Sequence, residues 1–389
     1  MSAGGILDTA IRSARRTPPA PRPAMAFATT PLDGAMTLLP EWSALSSRAV
    51  GDNLFFHPDF ALPAMRHLGA DVSIATVHHA DRRLAALAPF TQTRLGRVAP
   101  AARLWAHDYA PLGLPLVDED AVGGAVVALL DGLAPAEGGG SLIAADLPME
   151  SPVAKAFVAA ALRQSRPVDV LDGHVRAMLS RSDAGATDPR LALAAKRRKE
   201  VGRQLRRLAD VGEVKFVSAI EAAEVRARFE IFMQLEAAGW KGKRGSALIS
   251  HSATAEFARE VVVNRAEAGA ARIDSIDLGG KPIAMVVTFA AGSTAYTWKM
   301  AYDEERARFS PGVQLMLEVP KGLFSDPTLM RIDSCAAADH PMIDALWSGR
   351  LAVGTLVIGP PGGSALHRIG LAAARAEIAA RATLRRLRG

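Results

Sequence analysis

The sequence predicts an α/β protein of two domains, each a mixed, largely antiparallel sheet flanked by helices. Three observations carry that expectation. The chain has 389 residues, 49% of them hydrophobic, which is enough for two cores of ordinary size. Short apolar runs alternate with segments of helical spacing along most of the length. In the second half, three strand-like runs are joined by Gly279-Gly280 and Gly292-Ser293, the chemistry of two tight hairpins.

Residues 1–25 open the chain as a basic tail broken by Pro18, Pro19, Pro21 and Pro23, and disorder is expected there. Residues 72–78 and 84–93 read as a strand pair around Asp81, 121–133 as a helix, and 141–145 as a strand entered through a run of glycines. A helix over 152–164 leads to a strand over 168–179. The polar, turn-rich stretch 180–189 is read as the boundary, which places an N-terminal domain at 26–185 and a C-terminal domain at 186–389. The second domain starts with a helix over 191–209, with Ala194, Val201, Leu205 and Leu208 on one face and Lys196, Lys199, Arg203 and Arg206 opposite. Then come a strand over 213–218, helices over 220–238 and 254–268, each followed by glycine, and the meander over 271–278, 282–290 and 294–300. Ser310-Pro311-Gly312 opens another helix, which Pro320 is expected to shorten or kink. A strand at 329–334, a short helix at 342–347, a strand at 351–358 and a helix over 364–387 complete the chain.

Composition narrows the function classes. Net charge is +6, but the excess is terminal: residues 1–25 hold four Arg against one Asp, and residues 364–389 six Arg against one Glu. The remaining body is slightly acidic, which removes the main support for general nucleic-acid binding. A single cysteine, Cys335, excludes a disulfide framework and multi-cysteine metal sites and fits a reducing compartment, so a cytoplasmic location is expected. The longest apolar runs, 283–291 and 351–359, fall far short of the roughly 18 residues a membrane helix needs. The sequence has no P-loop, Rossmann fingerprint, Gly-x-Ser-x-Gly elbow or zinc-ligand cluster.

Several motifs are more specific. The stretch Leu235-Glu236-Ala237-Ala238-Gly239-Trp240-Lys241-Gly242, the strand running from Ala295 through Trp298-Lys299 to Tyr302-Asp303, the turn Ser310-Pro311-Gly312 and the run Arg331-Ile332-Asp333-Ser334 resemble the CelD-like branch of the GNAT acyltransferases, which is related to the FemAB peptidyltransferases. The match covers most of residues 190–350, with weaker echoes at Asn53-Leu54-Phe55-Phe56 and Asp108-Tyr109. The resemblance implies tandem GNAT-like domains, the second holding an acyl-donor site. It also implies acyl-CoA as donor, no metal, and an amine acceptor from envelope, exopolysaccharide or lipid synthesis, with possible peripheral membrane contact.

The residues themselves support part of this. A Pro-Gly turn at a helix N-terminus offers backbone N–H groups to a pyrophosphate, which makes Ser310, Pro311, Gly312, Val313 and Gln314 the candidate donor segment; a plain capping turn is the alternative. Arg308 followed by Pro311 departs from the usual GNAT phosphate signature. Glu236, Trp240, Lys241, Trp298, Lys299 and Tyr302 are candidate substrate-binding residues, with a buried helix-end Trp and a solvated Lys as the alternative. Asp303 and His340 are candidate proton acceptors from the amine, against a loop cap for Asp303 and a helix-start residue for His340. His340 and Asp344 share i, i+4 spacing without a third metal ligand in sequence, and Cys335 reads as a small core residue rather than a nucleophile. The leading expectation is an acyl-CoA-dependent N-acyltransferase. The alternatives are a FemAB-like transferase using charged tRNA, suggested by the basic run from Lys196, and a non-catalytic scaffold for polysaccharide assembly.

Overall fold

The computed structural model describes residues 25–69, 71–135, 137 and 139–388, so the expected disordered tail, apart from Met25, lies outside the described residues. In chain order the strands and helices are β1 (Ala26–Pro31), α1 (Leu39–Arg48), α2 (Pro58–Leu68), β2 (Ser73–His78), β3 (Leu84–Leu95), β4 (Ala99–Leu104), β5 (Leu116–Val117), α3 (Val122–Leu133), β6 (Ser141–Pro148), α4 (Pro152–Arg163) and β7 (Val168–Ser180). They continue as α5 (Ala195–Ala209), β8 (Val214–Ala219), α6 (Ala222–Ala238), α7 (Trp240–Lys243), α8 (Ser252–Glu267), β9 (Ala271–Leu278), β10 (Lys281–Ala291), β11 (Thr294–Tyr302), α9 (Pro311–Leu323), β12 (Arg331–Asp333), β13 (Gly349–Ile358) and α10 (Ala365–Arg388).

Two compact units result. The first takes the described residues within Met1–Pro58, Gly69–Val175 and Ala352–Gly389; the second takes Asp59–Leu68 and Arg176–Leu351. This partition differs from domains at 26–185 and 186–389: residues 352–388 fold with the first unit, residues 59–68 with the second, and β7 is divided between them. The physical reason is packing. Leu371, Ala374 and Ile378 of α10 lie against Leu95, Ala99, Ala101, Ile143, Leu171 and Val357 in the first unit. Gly96 and Gly370 let that helix approach closely, since a Cβ on Gly96 would fall 2.1 Å from the Gly370 carbonyl oxygen.

In the first unit the sheet runs β1-β2-β3-β4-β6-β13-β7, antiparallel except for the parallel β4–β6 pair where neighbours are assigned. In the second it runs β7-β12-β11-β10-β9-β8, antiparallel except for β11–β12. Each is the mixed, largely antiparallel sheet with flanking helices that the sequence predicts. In the second unit the core gathers Leu179, Val201, Leu208, Ile276, Val286, Leu317, Ile332 and Trp347. Helix α5 starts at Ala195 rather than 191; it buries Val201 and Leu208, half-buries Leu205 and exposes its basic face, whereas Ala194, expected on the apolar face, is an exposed N-cap.

Two helices in the second unit contain an internal proline, and in both a side chain replaces the missing N–H. Pro320 does not stop α9, which continues to Leu323. Proline there cannot bond the Met316 carbonyl four residues back, and the Trp347 indole donates to that oxygen at 3.3 Å. Likewise Pro63 of α2 leaves the Asp59 carbonyl, which Asn264 Nδ2 reaches at 3.4 Å.

Candidate active site

The site begins with a short parallel pairing. Strands β11 and β12 pair at only three positions, Thr294 with Arg331, Ala295 with Ile332 and Tyr296 with Asp333. Beyond them β12 ends, while β11 continues to Tyr302 against β10. The two chains part, and a cavity of about 590 Å³ opens along the free edge of β11. One wall is residues 297–302 and the other the irregular segment that follows β12, including Ser334, Cys335 and His340; α6 and α7 contribute Glu236, Trp240 and Lys241.

The opening is shaped by a bulge. Val287 lies opposite Lys299 but Thr288 lies opposite Thr297, so Trp298 is an extra residue in β11. A bulge twists and re-aims its strand, and it interrupts the alternation that would put Tyr296 and Trp298 on one face. The buried Trp298 ring meets Phe60, Phe257 and Phe289 at centroid distances of 6.0, 6.0 and 5.3 Å. Trp298 lines the cavity, yet its indole is largely committed to the core.

An ion pair holds the opposite wall. Glu236, at the end of α6, is only 3% exposed. Its Oε1 accepts from Lys241 Nζ at 2.7 Å and its Oε2 from the Leu248 N–H at 2.8 Å, so both oxygens are satisfied. Lys241 also donates to the Met300 carbonyl at 3.2 Å, tying α7 to β11. Gly242 permits this approach, because a Cβ there would sit 1.7 Å from the Ala237 carbonyl oxygen. Glu304 completes the wall by accepting from the Trp240 N–H at 2.6 Å and from Lys243 at 2.7 Å, contacts that hold its carboxyl below the usual range, with Lys243 the larger cause.

The wall after β12 is anchored by Asp333. Its carboxylate accepts from Arg176 at 2.6 Å, with both groups buried, and from the Cys335 N–H at 2.9 Å. Burial alone would lower the Arg176 pKa, but the charge of Asp333, with Cys335 next and the Asp333 hydrogen bond after it, outweighs burial and raises it. Cys335 adopts a left-handed backbone, φ 52°. Burial first, then Asp333, pushes its thiol well above the ordinary range, so it stays protonated at neutral pH and is a poor nucleophile.

Among the sequence candidates, Glu236, Trp240, Lys241, Trp298, Lys299, Tyr302 and His340 line this one cavity. Asp303 does not line it: its carboxylate caps the following turn by accepting from the Glu305 N–H at 2.9 Å, with Arg306 3.8 Å away. Ser310, Pro311, Gly312, Val313 and Gln314 are not lining residues either. Ser310 takes a left-handed conformation and offers no side-chain cap, and Gln314 Nε2 donates inward to the Val201 carbonyl at 2.8 Å. The turn still borders the site: a Cβ on Gly312 would lie 3.3 Å from Met300 Cε and 3.7 Å from Tyr302 Cδ1, both of which belong to lining residues. His340 Nδ1 faces the Ile343 N–H at 3.5 Å. Sequence reasoning missed the structural parts, namely the bulge at Trp298, the Glu304 brace and the Arg176–Asp333 pair. Two of these had a local signal: Glu304 directly follows Tyr302-Asp303 in the strand motif, and Asp333 lies within Arg331-Ile332-Asp333-Ser334. Among the described residues, no group of three or more His, Cys, Asp or Glu could hold a metal ion, and no helix is long and apolar enough to cross a membrane.

The site thus combines a three-strand meander, a parallel pair that opens and a helix N-terminus beside the opening. Residues 195–340 match the model of the Acetyltransferase (GNAT) domain, so this part of the chain is a GNAT acyltransferase domain. Solved structures extend the likeness over both units. The C-terminal domain of a putative lysylphosphatidylglycerol synthetase from Agrobacterium fabrum is similar at 12% identity with a TM-score of 0.53, covering 88% of this chain and 96% of that one. FemX is similar at 12% identity and a TM-score of 0.53, with 82% and 95% covered. A conserved protein of unknown function from Bacteroides thetaiotaomicron gives 12% and 0.52, with 87% and 100% covered. These likenesses establish a shared fold. Comparison with curated proteins finds no match.

Proposed function

We propose that the protein transfers an acyl group from acyl-CoA to the amine of a small molecule or lipid precursor, with envelope or exopolysaccharide synthesis as the setting the sequence resemblance suggests. The observation that carries this reading is the free edge of β11 facing the cavity, with Gly312 at the N-terminus of α9 bordering it. In an antiparallel strand the N–H and C=O of one residue point the same way. The Met300 carbonyl accepts from Lys241 rather than from β10, so the Met300 N–H is directed to the same open side, where it can stabilise the oxyanion of a thioester under attack. The first turn of α9 offers the Gly312 and Val313 N–H groups to the donor's phosphates; Gln314, turned inward, is not part of that cradle.

The amine nitrogen attacks the thioester carbonyl carbon, the carbon–sulfur bond breaks, and one amine proton must leave as the thiolate gains one. Asp303 is occupied as a cap by a 2.9 Å bond, so that proton handling is assigned to His340 of the cavity wall, whose Nδ1 takes the proton by giving up its long 3.5 Å contact with the Ile343 N–H. The Glu236–Lys241 pair and Trp240 shape the acceptor side. Titration with acyl-CoAs of increasing chain length tests the donor, since a ligand of the native state must raise its melting temperature. His340→Gln is expected to lower kcat by about a hundredfold or more with acyl-CoA affinity retained. No thermal shift with any acyl-CoA would overturn the donor assignment, and an unchanged kcat would remove His340.

A second reading rests on α5, whose face of Lys196, Lys199, Arg203 and Arg206 is exposed. It suits a polyanion such as charged tRNA, the donor of a FemAB-like transfer. Filter binding that is strong and steeply salt-dependent would favour it.

A further inference from the structure

The first unit carries a surface feature that acyl transfer does not use. Helix α10 packs one face on the sheet through His367, Gly370, Leu371 and Ile378. At 100° per residue the opposite arc holds Leu366, Ile369, Ala372, Ala376, Ala380 and Leu384, with Thr383 among them, its hydroxyl turned back to donate to the Ala379 carbonyl at 3.0 Å. These side chains are exposed, Leu366 by 45%, Ile369 by 57% and Leu384 by 52%. An outward helix face is normally its charged face; here the charges sit on the borders. Arg368 and Arg375 lie on one flank, Arg375 paired with Asp169 at 2.6 Å, and Arg381 lies on the other, paired with Glu377 at 2.6 Å; the sequence adds Arg385, Arg386 and Arg388, which leaves the face net basic.

We propose that α10 docks the protein on an anionic lipid surface, with the apolar arc facing the acyl boundary and the flanking arginines at the phosphates. The arrangement selects this occupant over others. A second copy pairing through the same arc would bring two arginine-bordered faces together, six Arg against one Glu on each side, and like charges would oppose it. A nucleic acid needs stacking or hydrogen-bonding groups, and the arc offers neither. A bilayer surface matches both halves of the pattern, since an interfacial helix buries its apolar side while arginine stems reach outward to headgroups. The sheet already fixes the helix, so little ordering is lost on docking.

The test is flotation of the full chain with phosphatidylcholine vesicles and with vesicles that also contain phosphatidylglycerol. Partition is expected to rise at least about tenfold with the anionic lipid and to fall with added salt, because each basic residue near such a surface is worth roughly a fivefold factor. Leu366→Glu/Ile369→Glu/Leu384→Glu is expected to abolish flotation with an unchanged melting temperature. Should that variant misfold, Arg368→Gln alone must still weaken partition several-fold. Equal partition on both vesicle types would overturn the proposal, as would a folded triple variant that floats like the parent. So would absence of flotation together with a concentration-dependent dimer that the triple variant loses. None of these measurements depends on the acyl-transfer reading.

Discussion

Replacing Lys241 by alanine isolates what the buried ion pair does. The ammonium lies 2.7 Å from Glu236 Oε1. Without it, Glu236 keeps only the Leu248 N–H at Oε2 and remains 3% exposed. Removing one partner of a buried pair costs about 3–5 kcal/mol because the remaining charge is uncompensated. The Lys241 side chain is itself 22% exposed, so water can follow the deletion and the lower end applies, about 3 kcal/mol. At roughly 2–4 °C per kcal/mol for a unit of this size, the melting temperature should fall by about 6–12 °C. The double variant Glu236→Gln/Lys241→Ala discriminates the cause, since the neutral amide can keep the Leu248 bond without stranding a charge. It should recover most of the loss, with a coupling energy of about 2 kcal/mol in a double-mutant cycle. Urea unfolding of the four proteins is the assay. A loss below about 1 kcal/mol for Lys241→Ala, or no recovery in the double variant, would refute the view that charge burial rather than packing sets the wall of the cavity.

Three further outcomes are expected. Gly312→Val should weaken acyl-CoA binding about tenfold, or ~1.4 kcal/mol, with little change in melting temperature, because its methyl groups would press on Met300 and Tyr302; calorimetric titration reads it, and an unchanged affinity would remove α9 from the donor site. His367, bonded through Nδ1 to Ser141 Oγ at 2.9 Å, has its pKa lowered chiefly by burial. Its native state therefore favours the neutral ring, so this contribution is complete above the ordinary histidine pKa and lost as pH falls through the lower folded value. Stability against pH should decline less steeply over that acid window in His367→Gln. Deleting residues 1–24 should leave the melting temperature unchanged, whereas cutting 364–389 should cost on the order of 5 kcal/mol, Leu371 alone contributing about 2; equal effects of the two truncations would contradict the packed role of α10.

Much of the second unit was legible because its signals are local. Gly279-Gly280 and Gly292-Ser293 marked both hairpins, and β9 was readable to the residue. The apolar spacing of α5 named the faces that the structure buries and exposes. What stayed hidden was set by distance or by interrupted periodicity. Helices α1 and α2 carry Pro40 and Pro63 in short segments, which reads as loop. β4 is Ala99–Leu104, with Pro100 and three alanines and little strand character. The bulge at Trp298 leaves no trace in composition, and it removes the alternation on which face assignments depend. Arg176 and Asp333 are 157 residues apart, beyond any spacing rule. Seven candidates named in separate motifs meet in one cavity only in the structure, whereas Asp303 could not be told from a cap, since the carboxylate that suits a proton acceptor also suits an Asx turn.

The wall that holds His340 has almost no regular structure, so its position must come from its attachments. At one end Asp333 is bound to Arg176, and Thr297 Oγ1 of β11 donates to the Asp333 carbonyl at 3.3 Å. At the other, Arg350 donates to the carbonyls of Asp344 and Trp347 at 2.8 and 2.6 Å, and the Trp347 indole bonds the carbonyl that Pro320 leaves open on Met316. Met316 lines the cavity and lies on α9, the helix whose first turn borders the cavity at Gly312. Pro320 is therefore more than a defect the helix tolerates. The acceptor it leaves open is the point at which the irregular wall is fastened to that helix, so residues from β11, α9 and the 334–343 segment are held in one frame although no sheet ladder joins them there.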